Sequence, residues 1–254
     1  MLELVCRPQD IACALNDFKP SYHADFARVR QLSKSYLALH PAQDLMDALA
    51  KALRDALTNW GAGKRKAPAL KSSAQIAIAL ADAPLRERLI RLHIGGIQTL
   101  GLSESRRILK AGLPRTELDE FDLHLIATLA RLADALFIGN TNVTYPMKAL
   151  LLITGFMPAW DSQVRKGLTR AGMPGLSGTR ALLPSTPHTA TGRRLCQLPF
   201  LLGDCWERQN ALLMAGIAGS AHPQLSAEPG RVFDVLLFMQ QDPQRAPLLS
   251  FRWA

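Results

Sequence analysis

Apolar residues recur along this chain at helical intervals, and alternating β-branched runs are nearly absent, which is the pattern of an all-α fold. Leu45, Leu49, Leu53 and Leu57 fall four positions apart with Lys51, Arg54 and Asp55 between them. They predict an amphipathic helix of about five turns over 41–60, ended by Gly61 and Gly63. A second helical region starts near Ser72 and continues past Pro84, which suits the first turn of a new helix carrying Leu85, Leu89 and Leu92 before Gly95-Gly96. Ser103-Glu104-Ser105-Arg106 reads as the opening of a short helix capped by Ser103 and closed by Gly112. Over 116–138, Phe121, Leu125, Leu129, Leu132 and Leu136 predict the central packed helix, with Thr116 as its cap. Pro146 starts the next helix, Gly155 and Pro158 end it, and Asp161-Ser162 begin another that stops at Gly172. Residues 172–199 are rich in Gly, Pro, Ser and Thr and read as one long connection. Helices at about 204–217 and 229–240 complete the chain.

With 254 residues and 48% hydrophobic content, the chain is long enough for one large domain or two lobes around a substantial core. The expectation is a single helical domain, 1–254, with a cleft between two lobes and the site-bearing segment at about 140–172. The most apolar stretches, near 149–160 and 232–239, are shorter than the ~18 residues that span a bilayer. Met1-Leu2-Glu3-Leu4-Val5-Cys6-Arg7-Pro8 lacks the basic start and apolar run of a secretory signal, so a cytoplasmic protein is expected. Cys6, Cys13, Cys196 and Cys205 form no CxxC pair, and the six histidines form no HExxH pattern. No metal or cofactor is expected, and each cysteine reads as a buried small hydrophobe.

Charge changes this picture. Thirty Lys and Arg against 21 Asp and Glu give +9, which points to an anionic partner, with nucleic acid first. Eight of the basic residues lie between Asn140 and Asn210 against three acidic ones. That concentration surrounds the segment with the most chemical content, Tyr145-Pro146-Met147-Lys148 through Trp160-Asp161-Ser162-Gln163-Val164-Arg165. Asp161 stands where an N-cap residue belongs. A carboxylate there can simply cap its helix, or it can face a positive charge developing in a reaction. Departure of a base from a nucleotide leaves an oxocarbenium-like sugar that a preorganised carboxylate stabilises. Lys148 is a solvated lysine, a phosphate ligand or, desolvated by its apolar helix, an amine able to attack C1′. The two groups converge only if the chain after Gly155 folds back along the helix.

The run Lys148-Ala149-Leu150-Leu151-Leu152-Ile153, followed by Met157-Pro158-Ala159-Trp160-Asp161-Ser162-Gln163-Val164-Arg165, resembles a segment of the helix-hairpin-helix DNA glycosylases. There, a lysine-bearing apolar helix leads through a proline turn to an aspartate and a Val-x-Arg helix. By position Asp161 matches the family's catalytic aspartate, and Lys148 lies near the place of its lysine. The likeness covers about a tenth of the chain, and Gly139-Asn140-Thr141-Asn142-Val143-Thr144 stands where that family has a glycine-rich hairpin. It implies a multi-helix fold with a cleft, and excision of a modified base from double-stranded DNA. The stretch Leu57-Thr58-Asn59-Trp60-Gly61-Ala62-Gly63-Lys64-Arg65-Lys66 is similar to a Trp-Gly turn in bacterial proteins that also carry Pro-x-x-Asp. Among proteins of this size, the chain most resembles an antiphage glycosylase, which implies action on glucosylated hydroxymethylcytosine.

Several other residues fit that expectation alongside simpler readings. Lys64, Arg65 and Lys66 form a phosphate clamp or a solvated loop, and Arg165, Lys166, Arg193 and Arg194 are further candidates for phosphate contact. Trp60, Tyr145 and Trp160 could line a pocket for a flipped base, with ordinary core packing as the alternative for the tryptophans. Asn140 and Asn142 read a base edge or shape a turn. The competing functions are a non-catalytic helical DNA-binding protein and a basic subunit that docks on an acidic protein.

Overall fold

The computed structural model describes residues 1–38, 41–64, 67–110, 118–139, 141–174 and 182–252. Arg65, Lys66, Gly112, Thr116, Asn140 and Arg180 lie outside the described residues. The order is β1 (Leu2–Leu4), α1 (Pro8–Asp17), α2 (Pro20–Ala38), α3 (Gln43–Asn59), β2 (Ala69–Leu70), α4 (Ser73–Leu80), α5 (Ala83–Gly95), β3 (Leu100–Ser103), β4 (Arg106–Leu109) and α6 (Leu118–Leu136). It continues with β5 (Phe137–Ile138), α7 (Thr144–Thr154), α8 (Ser162–Arg170), α9 (Ala190–Arg208), α10 (Asn210–Ala218), α11 (Pro229–Gln240) and β6 (Leu249–Phe251). The fold is all-α, with strands only in three two-stranded pairs among the described residues. No described helix is long and apolar enough to cross a membrane.

Local signals account for most boundaries. Leu49, Leu53 and Leu57 of α3 are fully buried, as their spacing predicts. The Ser72 hydroxyl accepts the Gln75 amide at 3.2 Å while the Gln75 side chain accepts the Ser72 amide, so α4 starts on a capping box. Asp82 caps α5, with Pro84 in its first turn. Helix α6 buries Leu125, Leu129, Leu132 and Leu136 and packs on α7. The most enclosed helix is α7 rather than α6: every residue from Tyr145 to Thr154 is buried, among α2, α3, α5 and α6.

Three expectations need correction. Ser103 to Arg106 forms the tip of the β3–β4 hairpin, not a helix start. Glu104 and Ser105 both have positive φ, 48° and 67°, the requirement of a two-residue hairpin turn that glycine or asparagine usually meets. Without those residues the signal was absent from the sequence. The 172–199 stretch is not one long connection, because α9 begins at Ala190, capped by the Thr189 hydroxyl on the Gly192 amide at 3.0 Å. Pro199 sits inside that helix. An internal proline costs about 3 kcal/mol, and burial of Leu195, Leu198, Phe200 and Leu202 outweighs it. Finally, Cys196 and Cys205 are buried as expected, but Cys13 is exposed.

Candidate functional site

The site is assembled by the path of the chain between α7 and α8. Gly155 adopts φ 69° and caps the C-terminus of α7 with its amide on the Leu151 carbonyl. From Lys148 to Gly155 the helix rises about 10 Å, and the segment that follows returns along it. The Thr144 hydroxyl at the start of α7 reaches the Trp160 carbonyl at 3.2 Å. The next residue, Asp161, therefore lies beside the first turns of α7, and Lys148 Nζ is 3.6 Å from Asp161 Oδ2. The fold-back on which convergence of the two groups depends is present.

Asp161 uses its oxygens differently. Oδ1 accepts the Gln163 and Val164 amides at 2.9 and 3.0 Å and caps α8. Oδ2 faces Lys148 at a distance beyond hydrogen bonding, and no described residue donates a hydrogen bond to it. The two side chains are 10% and 16% exposed, lysine first. Lys148 Nζ donates to the Trp60 carbonyl at 2.7 Å. Tyr145, three residues earlier on the same face of α7, donates its hydroxyl to the Gly61 carbonyl at 2.9 Å. An amine and a phenol from α7 thus bind two consecutive carbonyls at the C-terminal end of α3, the second of which also accepts the Lys64 amide at 3.3 Å. The Trp-Gly turn and the Lys-Asp segment, noticed separately in the sequence, meet at this point.

Behind the pair lies a buried layer that periodicity did not reveal. Arg231 is wholly buried and pairs with Asp234 at 2.6 Å. Its guanidinium lies 4.8–5.2 Å from the ring centres of Phe18, Phe26 and Trp60 and donates to the Tyr22 carbonyl at 3.0 Å. Asp234 Oδ1 accepts the Ala159 amide at 3.0 Å, so α11 holds the turn that delivers Asp161. Burial, with repulsion from Asp161, pushes the Asp234 carboxyl up to about 6 against the opposing pull of Arg231. Burial first, then Asp161, also raises the phenols of Tyr22 and Tyr145. Charged residues three apart within the apolar helix over 229–240 were the available signal for Arg231 and Asp234. Tyr22 and Asp25, the latter accepting Trp60 Nε1 at 3.1 Å, belong to the N-terminal forty residues, where no element was predicted.

The other predicted site residues divide. Trp160 is 1% exposed and belongs to the core, because its ring is covered by protein. Trp60 is also buried, with Tyr22 stacked against it at 5.2 Å and 27° and Arg231 lying over its ring. Neither tryptophan presents an open face to a base. Asn142 shapes a turn, its side-chain oxygen accepting the Thr144 amide at 3.1 Å. Arg165 is 8% exposed and enclosed, and so does not present its charge to solvent. Arg170, counted in the basic surround, binds the Gln240, Asp242, Pro243 and Arg245 carbonyls at the end of α11. Lys64, Lys166 and Arg193 are exposed and Arg194 half-buried, with Arg193 Nε held by the His188 carbonyl at 2.9 Å.

An apolar cavity of about 140 Å³ lies elsewhere, between α5, the hairpin and α6, and contains none of these residues. Among the described residues no group of three or more His, Cys, Asp or Glu is placed to hold a metal. No protein-family model matches the chain, and no curated protein or solved structure matches it.

Proposed function

We propose that the chain is a DNA glycosylase in which Asp161 stabilises the oxocarbenium-like sugar formed as a modified base departs. The observation that carries this reading is the state of the Asp161 carboxylate. One oxygen is clamped to the start of α8, and the other, in a side chain 16% exposed, has no hydrogen-bond donor among the described residues and lies 3.6 Å from Lys148. A carboxylate fixed before the reaction needs no reorganisation when positive charge appears at C1′. In the proposed reaction the duplex lies against Lys64, Lys166, Arg193 and Arg194, and the target nucleotide swings out of the helix into a cleft between two lobes. The C1′–N bond breaks with its electron pair passing to the base, which takes a proton from solvent. Water then adds to C1′, gives up a proton to solvent and leaves an abasic site.

Lys148 supplies positive charge beside Asp161 and ties α7 to the Trp-Gly turn. To serve as a nucleophile it must first release the Trp60 carbonyl, so hydrolysis by water is the simpler course. The resemblance of the 148–165 segment to the glycosylases, in a chain of this size that also carries the Trp-Gly stretch, supports glucosylated hydroxymethylcytosine in phage DNA as the base removed.

A second reading is favoured by a different observation. Asp161 Oδ1 and Lys148 Nζ both already satisfy backbone groups, as they would in a non-catalytic helical DNA-binding protein. Incubation with unmodified, alkylated, oxidised and glucosylated duplexes, followed by assay of free bases and abasic sites, separates the two. Base release from one modified class supports the glycosylase. Salt-sensitive binding to all of them without abasic sites favours the binding protein.

A further inference from the structure

The two tryptophans expected to meet a flipped base are both covered, and the geometry points to another aromatic residue. We propose that Tyr22 is the stacking platform of the pocket, its half-exposed ring receiving the extruded base on the side away from Trp60 and its hydroxyl donating to an acceptor on that base or its sugar. This inference rests on the glycosylase reading and specifies which side chain touches the substrate.

Tyr22 comes from the first turns of α2, and its ring is half-buried. One side is stacked on Trp60, with centroids 5.2 Å apart and planes at 27°, and Phe18 packs against the ring in a T-shaped pair at 5.9 Å. Trp60 is itself immobilised, with the Arg231 guanidinium over its ring, Nε1 bonded to Asp25 and its carbonyl bonded to Lys148. Arg231 also holds the Tyr22 carbonyl. Tyr22 therefore stands on a rigid support in which each layer is fixed by the one beneath, the arrangement that lowers the entropic cost of stacking a ligand. Lys19 Nζ also lies over the ring, 5.1 Å from the centroid. That ammonium, on an exposed flexible side chain, can be displaced by a base and move to a neighbouring phosphate.

The hydroxyl adds direction to the stack. No described residue hydrogen-bonds to it, in contrast to Tyr145, whose hydroxyl is used by Gly61. Burial and the Asp161 and Asp25 carboxylates raise the Tyr22 phenol, so it keeps its proton and remains a donor at neutral pH. Trp60, on which the ring is stacked, accepts Lys148 Nζ at its carbonyl, and Lys148 in turn stands 3.6 Å from the carboxylate assigned to C1′, so platform and carboxylate are joined through one residue pair.

The test uses the full chain and a duplex that the wild-type protein cleaves. Removing one base–aromatic stack is expected to lower the single-turnover rate about 10- to 100-fold in Tyr22→Leu. Tyr22→Phe, which keeps the ring on Trp60, is expected to lose about 3- to 10-fold through the missing donor. 2-Aminopurine at the target position is dim while stacked in the duplex; on extrusion it should stay dim against Tyr22 in the wild-type complex and brighten with Tyr22→Leu, a difference that a purely structural tyrosine would not produce. Wild-type rates in both variants would overturn the role of Tyr22 and leave the glycosylase reading standing. No base release by the wild-type protein from any duplex overturns both. If Tyr22→Leu does not fold, the wild-type complex decides the stacking claim: a bright 2-aminopurine refutes it.

Discussion

At the scale of single residues, Lys148 and Asp161 each do structural work that separates stability from chemistry. Lys148 satisfies the Trp60 carbonyl and stands opposite Asp161. Lys148→Met keeps the apolar stem but leaves a buried acceptor and an unpaired carboxylate, at a cost of about 1–3 kcal/mol. Denaturant unfolding should show that loss as a lower midpoint with an unchanged slope. An unchanged midpoint would mean that the amine is effectively solvated. Borohydride reduction during turnover should trap no adduct, since the amine is engaged. An adduct that disappears in the Lys148 variant would instead assign it as nucleophile. Asp161 was legible because an N-cap has a sequence signature. Its partner was legible only as a possibility, because nothing in a helical pattern states that a chain returns along the helix it has just left. Arg231 and Tyr22 meet across 209 residues of sequence and Asp234 meets Ala159 across 75, beyond the reach of local periodicity.

At the scale of elements, the site depends on how closely α8 approaches α11. A methyl group on Gly167 would overlap the Leu237 carbonyl, and the Gln240 side chain donates to the Gly167 carbonyl at 2.9 Å. Gly167→Ala must push the two helices apart and should destabilise the protein by about 1–3 kcal/mol. It should also weaken any activity, since α8 is capped by Asp161 and α11 holds the Ala159 amide. Thermal melts with and without the substitution check this, and an unchanged melting temperature would show that the interface is looser than described. Helices α3 to α7 were readable because their apolar stripes, caps and closing glycines agree with one another. The hairpin was not, because its turn places Glu104 and Ser105 in a conformation that neither residue advertises. The start of α9 was hidden by Pro199, whose unfavourable position is compensated by tertiary burial.

At the scale of the whole molecule, buried titratable groups couple the fold to pH. Burial, aided by Arg231, lowers the His23 imidazole to about 4 against its bond to the Leu15 carbonyl. Burial also lowers His93, His124 and His222. A histidine depressed in the folded state takes up its proton first in the unfolded chain, so falling pH favours unfolding from about 6.5 downward. For His23 this amounts to about 3 kcal/mol by pH 4. Asp234, raised to about 6, acts in the opposite sense over pH 4 to 6 because the folded state holds its proton more tightly. The wild-type melting temperature should therefore fall between pH 6.5 and 4, and His23→Gln, which can still donate to Leu15, should fall less. Equal slopes in the two proteins would rule out His23 as a source of acid sensitivity.

The same layer of Arg231, Asp234 and Trp60 supports the carboxylate on which the functional account turns. Asn caps a helix about as well as Asp, so Asp161→Asn keeps the Oδ1 bonds to α8 while removing the negative charge. The most direct measurement is the single-turnover rate of base release by this variant beside the wild type, on the duplex that the wild type cleaves. The prediction is a rate at least about 10²-fold lower, with DNA binding retained and a fold that still melts cooperatively, destabilised by no more than about 1–3 kcal/mol for the unpaired Lys148. Base release by Asp161→Asn at the wild-type rate would contradict it.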